Sequence, residues 1–436
     1  MKEFAERFLI YHGPHKERQN VVWNILGSGV YALASMVLAF LVMRMAGEDE
    51  GGIFGFGFST FGQQMFIVAY FGIRPFQITD GEQQYTFGDY LGVRTLTCGA
   101  AVLIAAGYLG FMLISGTYSF HKAAVIFLLA VYKIIDGFAD VYESEFQRQG
   151  SLYLTGKSNT FRTCFSVAVF LICLWLSGSL FLACVAAVAA QIAGVAVFNV
   201  SVMGADVLPD VRYGRKNRDC LGLIRNTALL FISVFLDFYV FSAAKYAIDL
   251  QLTDAMSGYF NILFMPTSVI YLAANFIIRP FLTRLTDCWN QGEYKSFGRI
   301  RRKIGAVILG FTALGVLGAA VLGRPVLAVM EIVLGESYQG SLTPYWPAFV
   351  LIIFGGGLYA LANLYYYLLV IMRKQVMIFG VYLTASIGAW FLSPILTASF
   401  GIPGAAVCYV CLMGFLTAGF SGLQGRMFQR AKEKRI

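Results

Sequence analysis

Twelve long apolar stretches determine what this chain can fold into. Each is close to the roughly 20 residues that a helix needs to cross a bilayer, and short polar segments separate them. Only 13% of the 436 residues are charged, against about 25% in soluble domains. This amount of charge cannot cover the surface of a soluble globule of this size, which excludes a soluble multidomain enzyme. We therefore predict an all-α integral membrane protein. The predicted spans are Val21–Met43, Ile53–Phe71, Thr95–Ile114, Ala123–Val141, Thr163–Ser177, Phe181–Val202, Leu223–Ala244, Tyr259–Ile278, Ile304–Leu322, Ala348–Val370, Met377–Leu396 and Ala405–Phe420.

The distribution of basic residues predicts how these spans are oriented. Of the 33 lysines and arginines, 28 fall on the side that includes the N-terminus, counting residues at span borders. The opposite side has only Arg44, Lys122, Lys245 and Arg324, and Lys133 lies inside a span. Because basic residues favour the cytoplasmic side, both termini are predicted to be cytoplasmic. Orientation then explains the net charge of +9, and no nucleic-acid partner is needed.

A repeated motif relates the two halves of the chain. Residues 71–76 read Phe-Gly-Ile-Arg-Pro-Phe, residues 276–281 read Phe-Ile-Ile-Arg-Pro-Phe, and a Thr-Asp pair follows each. Matching positions lie about 205 to 210 residues apart, as expected for an internal repeat of six spans. Both copies therefore cross the membrane in the same direction, as in parallel-repeat transporters whose substrate path lies between the halves. We predict two pseudo-symmetric six-helix lobes over 1–205 and 223–436, joined by a cytoplasmic linker over 206–222.

The Arg-Pro pairs of this motif indicate where two spans end. Proline disfavours helical angles in the residue before it, so the spans are expected to stop at Arg74 and Arg279. Both arginines would then lie at the cytoplasmic mouth. They either anchor the interface and offset the helix dipole, or bind a phosphorylated head group with their guanidinium groups.

Ionisable residues inside a span are costly and mark an ion pair or a transport pathway. Lys133, Asp136 and Asp140 in the fourth span share one helical face. They either form an intrahelical Lys-Asp pair, or Lys133 contacts an anionic head group and the carboxylates hold it until substrate arrives. The two interpretations stay open.

Asp237 lies near the middle of the seventh span, with no basic residue one turn away. It is the leading candidate for a site that couples transport to H⁺ or Na⁺, with Asp136 and Asp140 as further candidates. A salt bridge to another helix is the competing interpretation. Arg44 and Lys245, near the outer ends of the first helix of each half, either line an outer vestibule for the head group or only snorkel.

Motifs for other chemistries are incomplete. Gly156-Lys157-Ser158 resembles the end of a phosphate-binding loop, but Ser151 stands where the first glycine is required. The three histidines do not form a ligand set, so no metal and no cofactor is predicted.

Two regions resemble a known family. The stretch Asp136-Gly-Phe-Ala-Asp-Val-Tyr-Glu-Ser-Glu-Phe-Gln-Arg-Gln-Gly150 resembles the fourth-helix region of bacterial polysaccharide flippases of the O-antigen and capsule type. These flippases belong to the multidrug/oligosaccharidyl-lipid/polysaccharide exporter superfamily. The stretch from Lys245-Tyr246 to Arg279-Pro280 is similar to their span seven to eight region, although Ser242 stands where the family has Asn.

The resemblance implies a flippase, not an enzyme, that moves an undecaprenyl-diphosphate-linked oligosaccharide to the outer leaflet of the bacterial cell membrane. Family cavities are typically cationic, which fits Lys133, Arg74 and Arg279 by position. The expected partners are the lipid-linked oligosaccharide, membrane lipids and other glycan-assembly proteins, and a monomer is expected. The alternatives are a multidrug antiporter of the same superfamily, which would use Asp136, Asp140 and Asp237, and a membrane glycan polymerase.

Overall fold

The computed structural model describes residues 5–80, 84–203, 208, 211, 214 and 220–433. Throughout these residues the chain forms helices joined by short turns, and they contain no strand. Most of the predicted linker over 206–222 lies outside the described residues, and its last three residues, 220–222, are helical. The chain divides into two compact units, Met1–Phe235 and Leu236–Ile436, and this division falls within a helix.

The first unit is built from eight helices and the first half of a ninth. A short π-helical segment, Ala5–Leu9, precedes them. A π-helical turn at Gly57–Phe61 joins α2 to α3, and another at Ala196–Val200 lies within α8. The helices are α1 (Lys16–Ala46), α2 (Glu48–Phe56), α3 (Gly62–Tyr70), α4 (Ile73–Thr79), α5 (Phe87–Ile114), α6 (Phe120–Arg148), α7 (Leu152–Ser177), α8 (Leu180–Met203) and α9 (Cys220–Gln251).

The second unit contains the rest of α9 and five further helices. Helix α14 is interrupted at Gly401, whose backbone is not helical (φ 60°, ψ −138°), so it forms two successive helices. The helices are α10 (Asp254–Ile278), α11 (Leu282–Gln291), α12 (Tyr294–Leu334), α13 (Trp346–Ile371) and α14 (Gln375–Glu433).

The helices account for the twelve predicted spans. Nine helices among the described residues are long and apolar enough to cross a membrane, and α14 provides two spans because it breaks at Gly401. Helix α6 is long enough but too rich in charge to be recognised by apolarity. The α2–α3 pair is divided by its π turn and begins with three acidic residues. The all-α fold with about twelve membrane helices in two six-helix bundles is therefore confirmed.

The first Arg-Pro pair does not end its span as predicted. Helix α3 ends at Tyr70 because Phe71 and Gly72 both adopt left-handed backbone angles (φ 49° and 67°). Arg74 and Pro75 then lie in the first turn of α4, where an N–H group has no helical partner to lose. The second pair agrees with the prediction, since α10 ends at Ile278 and a 3₁₀ turn follows at Arg279–Phe281.

Candidate functional site

Helix α6 carries most of the buried charge of the first unit. Lys133, Asp136, Asp140 and Glu143 are all buried on it. Such groups are stable away from water only where counter-charges and hydrogen bonds satisfy them. The neighbouring helices supply three arginines, from α4, α5 and α7, which are Arg74, Arg94 and Arg162.

Arg162 joins two carboxylates of α6. Its side chain on α7 is 1% exposed, and its Nη2 donates to Asp136 Oδ1 at 2.5 Å. Its Nη1 donates to Glu143 Oε1 at 2.8 Å and to Asn199 Oδ1 at 3.0 Å. One guanidinium group therefore bridges two carboxylates and fixes α7 and α8 against α6.

Asp140 is held by two arginines. Arg94, fully buried on α5, donates to Asp140 Oδ2 at 3.0 Å and to the carbonyl of Ala69 at 2.9 Å. Arg74 donates to Asp140 Oδ1 and, at 2.8 Å, to Gln147 Oε1. The Arg74 side chain is 23% exposed, so it is the more accessible of the two.

Lys133 contacts aromatic side chains and does not form the intrahelical pair with Asp136 or Asp140. It forms no ion pair with Asp136 or Asp140, because arginines occupy both carboxylates. Its Nζ donates to the Tyr31 hydroxyl at 2.7 Å and lies 3.8 Å from the centre of the Phe58 ring. The intrahelical Lys-Asp pair is therefore absent, and aromatic groups hold the ammonium.

The π turn of the second span positions Phe58 under this ammonium. The turn adds a residue to the helical backbone next to α6, which is a common device at functional sites. Gly62 follows the turn, and a Cβ added there would lie 3.1 Å from Lys133 Cγ and 2.5 Å from the Gly57 carbonyl oxygen. A larger residue at position 62 would clash with the Gly57 carbonyl oxygen and press on Lys133, so glycine lets α6 pack close to the second span.

The second unit has its own buried lysine and a buried acid. Lys245 on α9 lies 4.6 Å from the centre of the Phe264 ring and has no ion pair with any described residue. Asp237 accepts a hydrogen bond from the Tyr359 hydroxyl at 2.9 Å, while its Oδ1 is buried without a partner. Within the described residues, no lysine or arginine pairs with Asp237, so no salt bridge replaces its predicted role.

The remaining predicted residues are more exposed. Arg279 is exposed in the turn after α10, whereas its repeat counterpart Arg74 is bound by Asp140. Arg44 is exposed in the last turn of α1. The structure thus forms a network of two ion-pair clusters on α6, and Lys133 belongs to neither. Asp140 pairs with Arg74 and Arg94, and Arg162 pairs with Asp136 and Glu143.

Several residues of this network were missed from the sequence. Arg94 and Arg162 directly precede predicted spans and were counted as flanking cytoplasmic charges, but both are fully buried. Glu143 was placed beyond the end of the fourth span. The excess of acids along the last turns of α6 was a usable signal, because buried carboxylates require basic partners.

The fold is similar to that of solved MATE transporters. An inward-facing multidrug resistance MATE family transporter of the MOP superfamily superposes with a TM-score of 0.65, covering 95% of this chain and 99% of that chain at 11% identity. A eukaryotic MATE transporter gives a TM-score of 0.62, covering 97% and 100% at 13% identity. A Vibrio cholerae MATE transporter gives 0.58, covering 96% and 97% at 16% identity. No protein-family model and no curated protein matches the chain. At these identities the similarity shows the fold alone, which is that of transporters in the superfamily predicted from the sequence.

Proposed function

We propose that this protein is a flippase for an undecaprenyl-diphosphate-linked oligosaccharide in the bacterial cell membrane. It moves the lipid from the cytoplasmic to the outer leaflet by alternating access of its two lobes, with both termini in the cytoplasm. The transporter fold, found across 95% of the chain, supports a transport function rather than an enzymatic one. The choice of substrate rests on the environment of Lys133, which is buried and forms no ion pair with any described residue.

The charges of the first unit leave Lys133 as a surplus cation. Three arginines, the buried Arg94 and Arg162 and the partly exposed Arg74, pair with Asp140, Asp136 and Glu143, so these groups balance. Lys133 interacts with Tyr31 and Phe58 instead. A cation over an aromatic face is held by about 0.5–2 kcal/mol, and a charge-assisted bond to phosphate is stronger. A diphosphate can therefore take this ammonium from its aromatic partners without unpairing a carboxylate.

The second unit supports the same polarity. Lys245 also contacts an aromatic ring rather than a carboxylate. Neither of these membrane-embedded lysines forms an ion pair with a described acid, which fits an anionic substrate, whereas an exporter of organic cations requires accessible carboxylates. Arg74, Arg279 and Arg44 serve in the proposal as further head-group contacts near the two mouths.

Asp237 is relevant to two functions, the multidrug antiporter and the ion coupling of the proposed flippase. An unpaired acid among tyrosines is also what a multidrug antiporter would use, so that function is the second candidate. In the flippase, Asp237 binds the coupling ion, H⁺ or Na⁺. Asp136 and Asp140 are less suited to this role, because a cation would have to compete with bound arginines. The protein acts as a monomer among membrane lipids and other glycan-assembly proteins.

Replacing Lys133 tests the choice of substrate. We expect Lys133→Ala to abolish glycan export in cells at a normal protein level, because it removes the surplus cation. The control is Lys303→Ala, the same substitution at an exposed lysine, which should leave export unchanged. Full export by Lys133→Ala would refute the head-group role, and drug resistance in overexpressing cells would favour the antiporter.

A further inference from the structure

We propose that the second unit contains a sugar-binding subsite formed by Tyr271, Asn363 and Tyr367. This inference rests on the proposed function, because it assigns the glycan part of the lipid-linked substrate to particular side chains. Three observations carry it, which are an exposed aromatic face, a hydrogen-bonding edge beside it, and the contact of both with one polar face of helix α13.

The aromatic face belongs to Tyr271. Its ring stacks on the ring of Tyr359, with centroids 5.5 Å apart and planes inclined by 24°. Tyr359 is fixed from its other end, because its hydroxyl donates to Asp237. Tyr271 is 38% exposed, so one part of a supported aromatic surface stays open to a ligand.

The hydrogen-bonding edge is centred on Asn275, one helical turn after Tyr271 on α10, and includes side chains from α13. Asn275 is buried, and its Oδ1 accepts from Asn363 Nδ2 at 3.3 Å and from the Tyr367 hydroxyl at 3.4 Å. Asn275 Nδ2 donates to the carbonyl of Tyr271 at 3.0 Å. Asn275 thus positions the partly exposed Asn363 and Tyr367 beside the Tyr271 ring.

These groups share one face of helix α13. Tyr359, Asn363 and Tyr367 follow each other at intervals of four residues and are all partly exposed. Residues at this spacing lie above one another on a helix. Polar groups at membrane depth are stable where they face a water-filled cavity or protein rather than lipid, so this face is suited to contact a polar cargo.

The chemistry of the face matches a sugar ring. A pyranose has C–H groups on its faces, which pack on an aromatic ring, and hydroxyl groups on its edge, which pair with amides and phenols. Within the part of the chain that the structure describes, no lysine or arginine hydrogen-bonds to Tyr271, Asn363 or Tyr367. The amide and phenol groups of the subsite carry no charge themselves, so they suit the glycan rather than the diphosphate.

Binding to purified full-length protein in nanodiscs tests this assignment. The probes are bare undecaprenyl diphosphate and a panel of undecaprenyl diphosphates that carry one hexose or one N-acetylhexosamine. We expect wild-type protein to bind at least one sugar-bearing probe more tightly than the bare lipid. Tyr271→Ala should weaken that binding about 3- to 10-fold, the range expected for one aromatic contact, and leave binding of the bare lipid unchanged.

Three further variants make the result specific. Tyr271→Phe keeps the ring and should keep the preference for sugar, while Asn363→Ala should lose part of it. Leu272→Ala removes the next side chain on α10, which is 49% exposed, and should change nothing. Lys133→Ala should weaken binding of bare and sugar-bearing lipids alike.

The outcomes separate this inference from the proposed function. Loss confined to sugar-bearing probes in Tyr271→Ala supports the subsite. Equal loss for all probes, or no loss for any, overturns the subsite while the Lys133 effect still supports the flippase. If wild-type protein binds no probe and Lys133→Ala changes nothing, the proposed function fails, and the subsite with it.

Discussion

At the scale of single residues, the first unit depends on a few arginines that hold more than one partner each. Arg162 bridges Asp136 and Glu143, and Arg94 joins Asp140 to the end of α3 through Ala69. A buried ion pair adds little net stability, but removing one member leaves an uncompensated charge away from water. These arginines are therefore structural requirements, whereas Lys133 contacts Tyr31 and Phe58 and forms no ion pair with a described acid.

Arg162→Ala should destabilise the protein strongly. The substitution leaves Asp136 and Glu143 without their shared cation, which costs about 3–5 kcal/mol for a buried pair. Thermal unfolding of the purified protein, followed by tryptophan fluorescence, measures the change. Arg162→Lys should give an intermediate value, since one ammonium cannot replace a guanidinium fork between two acids. The control is Arg279→Ala at an exposed position, expected within about 0.5 kcal/mol of wild type. Equal stability of the Arg162 and Arg279 variants would contradict the structural role.

The sequence revealed these acids and Lys133 but could not assign their partners. Spacing along α6 places Lys133, Asp136 and Asp140 on one face, and this follows from helix geometry alone. Which arginine reaches which acid depends on how α4, α5 and α7 pack around α6, and periodicity carries no information about that packing. Arg94 and Arg162 were therefore counted as loop charges, although their helices begin several residues earlier than hydropathy indicates.

At the scale of elements, glycines decide which helices can approach each other. Helices α1 and α7 meet backbone to backbone at Gly27 and Gly156. Such close approach is common between membrane helices, where small residues allow close van der Waals contact. Gly156 is thus explained by packing, consistent with its failure to fit a phosphate-binding loop. The sequence contained this glycine, but only the pairing of α1 with α7 reveals its function.

Gly156→Ala should disrupt this helix pair. A Cβ at this position would lie 2.1 Å from the carbonyl oxygen of Trp23, a backbone atom that cannot move without shifting α1. Overpacking of this kind costs about 1–3 kcal/mol. Gly107→Ala is the matched control, because its Cβ meets no atom within 4 Å and helix propensity favours alanine by up to about 1 kcal/mol. Unfolding temperatures of the two variants should fall on opposite sides of wild type or differ clearly. A Gly156→Ala protein as stable as Gly107→Ala would exclude the tight contact.

At the scale of the whole molecule, the two units share the same order of helices, but matching helices carry different side chains. The fourth span of the first unit is α6, with its lysine and acids, and the fourth span of the second unit is α13, with four tyrosines and one asparagine. The internal repeat predicted the shared order correctly. It could not predict this difference, because Phe-x-Ile-Arg-Pro-Phe marks an end of the second span in each half and leaves the fourth spans unconstrained. The proposed function uses this difference, because it assigns the charged part of the substrate to Lys133 and the neutral part to the second unit.

The proposed coupling of transport to an ion involves the whole molecule, and Asp237→Asn tests it. The substitution keeps an oxygen that can accept the Tyr359 hydrogen bond but removes the charge. In proteoliposomes with a fluorescent lipid-linked disaccharide, wild-type flipping should respond to an imposed pH or Na⁺ gradient, and the variant should flip at a rate independent of that gradient. Asp287→Asn, at an exposed acid on α11, should behave as wild type. If the Asp237 variant keeps the full gradient dependence, the coupling ion binds elsewhere, and Asp136 and Asp140 become the next positions to replace. Loss of all flipping, with or without a gradient, would instead indicate that the Asp237 charge is needed for the lobes to move.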